Sequence, residues 1–199
     1  MAKIGQVEKR RGANLPHWKK DGATYAVTFR LADSLPKEAL DLLQRQIEAI
    51  ERKFQIGNQP LSLEELVMQS KARSDVYMRL LDAGYGQCLL RDDWAAEIVA
   101  KALKHFDDDR YQLHAWCVMP NHVHVVVQPL RTHQLSQILH SWKSFTANAV
   151  NKELGRSGPV WLRESYDHLI RDEADYQHHV RYARENPAAA GLVDWKWVG

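Results

Sequence analysis

Residues 111–128 read YQLHAWCVMPNHVHVVVQ, and this stretch decides which fold we expect. It contains two apolar runs rich in β-forming residues, Tyr111–Met119 and His122–Gln128. The dipeptide Pro120-Asn121 between them is a turn signal, so the stretch predicts a β-hairpin. A hairpin of this kind needs further strands beside it and a helical layer over its apolar face.

The second strand of this hairpin carries the most informative polar residues of the chain. Side chains two positions apart point to the same side of a strand, and their Cα atoms lie about 6.6 Å apart. His122 and His124 therefore share a face from which two imidazoles can converge on one divalent ion, while Val123 points into the core. The pattern is short, so the alternative interpretation is a pair of ordinary strand histidines.

The rest of the sequence indicates an α+β fold. Alternating β-formers predict a first strand, and apolar residues spaced three and four apart predict amphipathic helices. The resulting order of strand, helices, strand pair, helix, strand and helix predicts an antiparallel sheet covered by helices on one face. The predicted strands outside the hairpin are 24–31, 87–90 and 160–171, and the helices after the insertion begin near 94, 135 and 172.

A long helical segment separates the first strand from the rest of the sheet. Residues 36–83 read as two helices that form an inserted hairpin, interrupted at Gly57–Pro60. Ser62 and Glu65 have the spacing of a capping box, which marks the start of the second helix. At the other end of the chain, Asp172 is a candidate N-cap for the last helix. We expect that helix to end before Pro187, because proline disfavours helical geometry in the residue preceding it.

Composition limits the class of protein. The chain has 199 residues, of which 45% are hydrophobic and 26% charged, and this excludes a disordered, collagen-like or coiled-coil chain. We expect residues 21–199 to form one domain that contains the insertion. No apolar run approaches the roughly 20 residues that span a bilayer, and the N-terminus lacks a secretory signal, so we expect a cytoplasmic protein without membrane contact. Two cysteines cannot form a disulfide framework.

Positive charge is concentrated at the N-terminus. Residues 1–20 contain six Lys or Arg and one Glu, although the whole chain has a net charge of only +2. A basic arm of this kind is compatible with a polyanionic partner such as nucleic acid. The simpler alternative is a solvated chain end.

Two polar residues of the last predicted helix add to the histidine pair. Tyr182 and Asn186 are four residues apart and therefore lie on the same helix face. Taken separately, they could be a core aromatic and a helix cap. Taken with His122 and His124, they offer two imidazoles and an amide oxygen for a divalent metal, with a phenol that can attack phosphorus.

These motifs resemble a known family. His122-Val123-His124 after Met119-Pro120-Asn121 is similar to the HUH motif of single-tyrosine transposases. The downstream run from Tyr166 to Val193, with Tyr182-Ala183-Arg184-Glu185-Asn186-Pro187 and Gly191-Leu192-Val193, resembles the REP-associated tyrosine transposases. The resemblance covers roughly residues 15–193, and the combination of motifs is specific although each part alone is weak.

The resemblance implies a ferredoxin-like α+β domain, often dimeric, that acts on single-stranded or hairpin DNA from repetitive extragenic palindromes. It assigns His122, His124 and Asn186 as ligands of Mg²⁺ or Mn²⁺, and Tyr182 as the nucleophile that forms a 5′-phosphotyrosine. The helical segment at 36–83 departs from the compact family pattern. DNA phosphates are expected to meet basic side chains, for which the candidates are Arg10, Arg11, Lys19, Lys20, Lys143, Arg163 and Arg171.

Three other interpretations stay open from the sequence. A metal-dependent hydrolase could use the same histidines with a carboxylate, although no His-Glu-x-x-His spacing supplies further ligands. A domesticated descendant could bind hairpin DNA without cleaving it. A relaxase shares the HUH chemistry, but relaxases usually place the tyrosine before the histidines, whereas Tyr182 follows them.

Overall fold

The computed structural model describes residues 8–11, 16–19, 22–54, 60–130 and 132–199. By its internal contacts the chain divides into two compact units, residues 33–88 and the remainder. The strands are β1 (Glu8–Arg11), β2 (Pro16–Lys19), β3 (Tyr25–Arg30), β4 (Tyr111–Val118), β5 (His122–Pro129) and β6 (Tyr166–Leu169). The helices are α1 (Lys37–Phe54), α2 (Leu63–Asp82), α3 (Asp93–Lys104), α4 (Leu135–Glu153) and α5 (Glu173–Ala189).

The larger unit is built on a four-stranded antiparallel sheet with the order β4-β5-β3-β6. Within it, β3, α3, β4, β5, α4 and β6 follow each other along the chain, which gives the ferredoxin-like arrangement with β3 and β5 in the centre. The α+β class and the antiparallel sheet predicted from the sequence are confirmed. The predicted hairpin is also present, since β4 and β5 pair around Pro120 and Asn121.

One face of this sheet forms the main hydrophobic core. Val123, Val125 and Val127 alternate along β5 and are buried against apolar residues of α3 and α4. The polar atoms of two aromatic side chains in this core are hydrogen-bonded. The Trp142 indole donates to the Tyr111 hydroxyl at 2.9 Å, and that hydroxyl donates to a main-chain carbonyl of α3.

The opposite face of the sheet is covered by α5. Val180 and Ala183 of α5 pack with Ala115 and Val126 in a separate apolar cluster. The expectation of helices on one face is therefore corrected, since the sheet carries α3 and α4 on one side and α5 on the other. The reason is that Val126 of β5 and Ala115 of β4 form an apolar patch on this second face, against which α5 packs.

The last helix also extends further than expected. It begins as predicted, because the Asp172 side chain accepts a hydrogen bond from the Asp175 main-chain N–H, but it continues through Pro187 to Ala189. Proline removes one hydrogen bond from a helix, and close to the C-terminal end the remaining bonds tolerate that loss. The Ala190 N–H still donates to the Asn186 carbonyl at 2.9 Å.

Two other expectations are corrected. The predicted strand at 87–90 is a short 3₁₀ helix, Leu89–Arg91. The predicted strand at 160–171 pairs over Tyr166–Leu169 only, with one isolated bridge between Trp161 and Leu31. The short run at 87–90 does not distinguish a strand from another buried segment. The stretch at 160–171 carries charged residues in its middle, and Arg163 is exposed, so its β pairing is interrupted.

The smaller unit contains the helical hairpin. Its helices α1 and α2 pack through a cluster that includes Leu35, Ala39, Val76 and Leu81. The predicted capping box at the start of α2 is present. The Glu65 main-chain N–H donates to Ser62 Oγ at 3.2 Å, and the Ser62 N–H donates to the Glu65 carboxylate at 2.8 Å.

The outer edge of β4 is paired with residues 197–199. The Trp116 N–H donates to the Gly199 carbonyl at 2.9 Å, the Gly199 N–H donates back to Trp116 at 3.0 Å, and the Val118 N–H donates to the Trp197 carbonyl at 2.9 Å. A Cβ at Gly199 would lie only 2.6 Å from the Trp116 indole nitrogen, so this close approach requires glycine. Among the described residues, no helix has the length and apolar character needed to cross a bilayer.

Candidate active site

The histidine pair lies on the face of β5 that points away from the main core. His122 and His124 are both almost completely buried, at 1% and 4% exposure. Their Nε2 atoms are 2.8 Å apart, so the two imidazoles meet tip to tip. The strand periodicity expected from the sequence therefore brings the paired nitrogens to one point.

The other ring nitrogen of each histidine is held by a neighbouring side chain. Thr28 lies directly opposite His124 in the β3–β5 register, and its hydroxyl is 2.8 Å from His124 Nδ1. Asn121 precedes His122, and its Oδ1 is 2.7 Å from His122 Nδ1. An amide oxygen only accepts, so His122 Nδ1 carries the proton and His122 Nε2 presents its lone pair. Partners at Nδ1 of this kind orient metal-binding histidines.

Burial keeps both imidazoles neutral. It lowers the pKa of His122 well below the ordinary value, and the neighbouring His124 lowers it further. Burial also lowers the pKa of His124 to about 3, with a smaller effect from His179. Neutral imidazoles are the form that coordinates metal ions, so the pair is available as ligands at physiological pH.

The helix α5 brings the tyrosine to the same side of the sheet. The half-buried Tyr182 ring lies edge-on to the His124 ring, with 5.2 Å between the ring centroids. Asn186 lies one turn further along α5 and is 4% exposed. Its Oδ1 is buried and has no hydrogen-bond partner among the described residues. A buried amide oxygen without a partner is costly, and a cation would satisfy it.

Asn186 reaches this buried position in a way that the sequence did not predict. The expected helix end at Asn186 would have left its amide at a free C-terminus. Instead α5 continues to Ala189, and Asn186 lies inside the helix on the turn that follows Tyr182. The main chain that carries the Asn186 side chain therefore belongs to regular helix on both sides.

The basic residues predicted to contact DNA differ in burial and in hydrogen bonding. The Lys143 ammonium points inward and donates to Ser165 Oγ at 2.6 Å and to the carbonyls of Leu162 and Arg163 at 3.0 and 3.1 Å. It joins α4 to the segment that leads into β6, and these hydrogen bonds within the chain favour a structural role over the predicted contact with DNA. Arg163 and Arg171 are exposed. The main chains of Arg10, Arg11 and Lys19 lie in the two-stranded β1–β2 sheet, and Lys20 lies outside the described residues.

Sequence reasoning did not identify Thr28 and Asn121 as partners of the histidines. Asn121 was visible only as a turn residue, and Thr28 became a neighbour through strand pairing that no local pattern reveals. A second group of polar residues, His168, Asp175 and His179, also comes together at the start of α5.

Comparison with known proteins gives a consistent result. The model of the family described as "Transposase IS200 like" matches residues 81–185, which is just over half of the chain. The matched range contains both histidines and Tyr182, and it ends one residue before Asn186.

Two curated proteins and one solved structure are similar to the chain. The "Putative REP-associated tyrosine transposase" of Haemophilus influenzae is 28% identical over 100 residues, covering 42% of this chain and 55% of the relative. The REP-associated tyrosine transposase of Escherichia coli K12 is 29% identical over 93 residues, covering 44% and 53%. The chain thus spans about half the length of the curated relatives it matches. A solved REP-associated tyrosine transposase bound to a REP hairpin is 17% identical with a TM-score of 0.49, covering 94% of this chain and 82% of the other.

Proposed function

The chain belongs to the IS200-like transposase family, and from this premise we propose that it cleaves and rejoins single-stranded DNA beside hairpins through a covalent phosphotyrosine. Both curated relatives are named REP-associated tyrosine transposases, which supports a tyrosine nucleophile and DNA of the repetitive extragenic palindrome type. The observation that carries the proposal is the position of Tyr182, whose ring packs against His124 beside the meeting point of the two imidazoles.

His122, His124 and Asn186 would hold the divalent ion, Mg²⁺ or Mn²⁺. Three features of these residues fit a cation: the two Nε2 atoms meet 2.8 Å apart, both imidazoles are kept neutral by burial, and Asn186 Oδ1 is buried without a partner. A bound divalent ion would act as a Lewis acid and polarise the scissile phosphate. The nitrogen and oxygen donor set leaves coordination positions for phosphate oxygens.

Tyr182 supplies the nucleophile. Its phenolic oxygen attacks the phosphorus, a bond forms between that oxygen and phosphorus, and the bond from phosphorus to the 3′-oxygen breaks. The phenol loses its proton as it attacks and the 3′-oxygen takes up one as it leaves as a hydroxyl, so the number of protons is unchanged. Since the phosphotyrosine retains the energy of the phosphodiester bond, attack by another 3′-hydroxyl rejoins DNA and releases Tyr182 without a nucleotide cofactor.

Basic residues outside the catalytic group would bind the DNA backbone. The exposed Arg163 and Arg171 flank β6, close in sequence to α5. The candidates in the N-terminal segment are Arg10, Arg11, Lys19 and Lys20, all within a stretch of strong positive charge. Binding through these side chains would weaken as the salt concentration rises.

The test is adduct formation with a labelled single-stranded hairpin oligonucleotide and Mn²⁺. We expect the unmodified protein to form an adduct that survives denaturing electrophoresis, and Tyr182→Phe to form none while its hairpin affinity stays within about threefold. Tyr176→Phe is the matched control, because it removes a hydroxyl from the same helix and should leave the adduct.

An adduct that persists in Tyr182→Phe would refute the assignment of the nucleophile. Hairpin binding by the unmodified protein without any adduct in Mn²⁺ or Mg²⁺ would instead identify a DNA-binding module. Cleavage without a covalent product would identify a hydrolase.

A further inference from the structure

A second group of metal-type ligands lies in the larger unit and shares no residue with the proposed active site. It consists of His168 on β6 and of Asp175 and His179 on α5. His168 Nε2 lies 2.9 Å from Asp175 Oδ2, and His179 Nε2 lies 3.4 Å from Asp175 Oδ1. The ligand atoms of the three residues all lie within 4.8 Å of one another, and the two imidazole rings are 4.7 Å apart.

Regular secondary structure holds the three side chains in place. Asp175 and His179 are four residues apart on α5 and so share a helix face, while His168 is fixed by the pairing of β6 with β3. The Arg171 main-chain N–H also donates to Asp175 Oδ2 at 3.0 Å, and Asp172 caps the helix one turn before. The carboxylate is thereby held in one orientation, with each of its oxygens directed at one imidazole.

The spacing of these atoms fits a small transition-metal ion. Bonds of 2.0–2.1 Å in tetrahedral geometry place neighbouring ligand atoms about 3.3 Å apart. The two imidazole nitrogens lie 2.9 and 3.4 Å from the two different oxygens of Asp175, and all the ligand atoms lie within 4.8 Å of one another, so side-chain rotations would have to bring the nitrogens around one ion. The three side chains are 21–24% exposed, so the group is partly shielded from solvent. The exposed part would allow a water molecule or another ligand to reach a bound ion.

The protonation states support the same interpretation. Burial lowers the pKa of His179 to about 4, so this imidazole is neutral at physiological pH. Desolvation raises the pKa of Asp175, but the hydrogen bonds from His168 and the Arg171 main chain outweigh it, and the pKa is lowered overall. An ionised carboxylate with imidazole nitrogens is a donor set suited to Zn²⁺ and related ions.

We propose that His168, Asp175 and His179 bind a second divalent metal ion of the Zn²⁺ class, which links β6 to the first turns of α5. His179 lies three residues before Tyr182, so an ion bound there would fix the part of α5 that leads to the tyrosine. This proposal rests on the donor atoms of these three residues and does not depend on the proposed DNA chemistry.

Metal stoichiometry tests this proposal. The full chain, first treated with chelator, is titrated with Zn²⁺ by calorimetry and with Co²⁺ by visible absorption. We expect His122→Gln/His124→Gln to retain one strong equivalent with a Co²⁺ d–d spectrum. Adding Asp175→Asn to that variant should remove this equivalent, whereas adding His178→Gln, a neighbouring histidine outside the group, should leave it.

A second measurement distinguishes loss of metal binding from loss of the folded structure. Zn²⁺ should raise the thermal unfolding temperature of His122→Gln/His124→Gln but not that of the same protein with Asp175→Asn, with circular dichroism confirming that both are folded. Equal Zn²⁺ binding by these two proteins would overturn the proposal, as would absence of binding by His122→Gln/His124→Gln. The latter result would identify the group as a hydrogen-bonded link without metal.

Discussion

At the scale of single residues, side-chain partners fix how the two imidazoles of the pair are oriented. His122 and His124 were visible in the sequence because a strand repeats every two residues. Their partners were not, because Thr28 comes from a strand about a hundred positions away and Asn121 has the local appearance of a turn residue. The sequence thus predicts the candidate ligands but not the hydrogen bonds that orient them.

Thr28→Val should weaken metal binding without unfolding the protein. Valine has nearly the same shape as threonine and suits a strand, but it removes the oxygen that lies 2.8 Å from His124 Nδ1. Loss of such a partner typically lowers metal affinity by about 10- to 100-fold. Calorimetry with Mn²⁺ measures the change, and Thr24→Val, just before β3, is the control. Unchanged Mn²⁺ affinity in Thr28→Val would exclude this role for the hydroxyl.

The buried histidines also predict how stability depends on pH in the absence of metal. Their pKa values are lowered on folding, whereas in the unfolded chain they titrate near 6.5. Below that pH the unfolded state binds more protons than the folded state, so the free energy of unfolding falls as the pH drops. The loss for each histidine is at most about 1.4 kcal/mol per pH unit.

Urea unfolding in chelator between pH 7.5 and pH 5 measures this effect. His114 and His179 also have lowered pKa values and act in the same direction. The difference between the unmodified protein and His122→Gln/His124→Gln therefore isolates the pair, and the variant should lose less stability. Parallel losses in the two proteins would show that the pair does not carry the effect.

At the scale of helices and strands, sequence signals located the starts of elements better than their ends. The capping residues Ser62 and Asp172 are present where the sequence placed them, since a cap depends on neighbours three residues away. The end of α5 depends on packing instead. Asn186 and Pro187 are buried together with Val180 and Ala183, so the packed part of α5 includes the proline itself.

Lys143 links two elements, and its removal should destabilise the fold without changing DNA affinity. Burial lowers the pKa of this lysine to about 8, and nearby Glu164 partly offsets that shift. Lys143→Met keeps most of the aliphatic stem but removes hydrogen bonds to partly buried acceptors, which we expect to lower the free energy of unfolding by about 1 kcal/mol.

Chemical denaturation measures this loss, and Lys152→Met, at an exposed position of the same helix, is the control. Hairpin affinity and its salt dependence should be the same in Lys143→Met as in the unmodified protein. A shallower salt dependence for Lys143→Met would show that the ammonium contacts phosphate after all.

At the scale of the whole molecule, residues of the larger unit that flank the insertion in sequence pair with one turn of the sheet. The Leu31 N–H donates to the Asn121 carbonyl at 2.9 Å, and the Leu90 N–H donates to the Pro120 carbonyl at 3.0 Å. Among the residues that the structure describes, the main hydrophobic core includes none from 33–88. From the sequence we expect residues 21–199 to form one domain that contains the insertion, and no local pattern predicts that the inserted helices bury apolar side chains in a cluster of their own.

Replacing residues 33–88 with a linker of about six Gly and Ser residues should therefore leave the larger unit folded. Short connections of this length are common between neighbouring elements. Far-ultraviolet circular dichroism should show lower helix content, and thermal unfolding should remain a single cooperative transition. Loss of cooperativity or aggregation would show that the larger unit requires the insertion for stability.

The pairing of residues 197–199 with β4 bears on how two copies of the chain could associate. An uncovered outer strand is a template on which a second molecule can continue the same ladder of main-chain hydrogen bonds. Here Trp116 and Val118 already use donors on that edge within the chain. A continuous eight-stranded sheet across two copies would first require displacement of this segment at the β4 border. A dimer that leaves the segment in place cannot use these main-chain donors of β4.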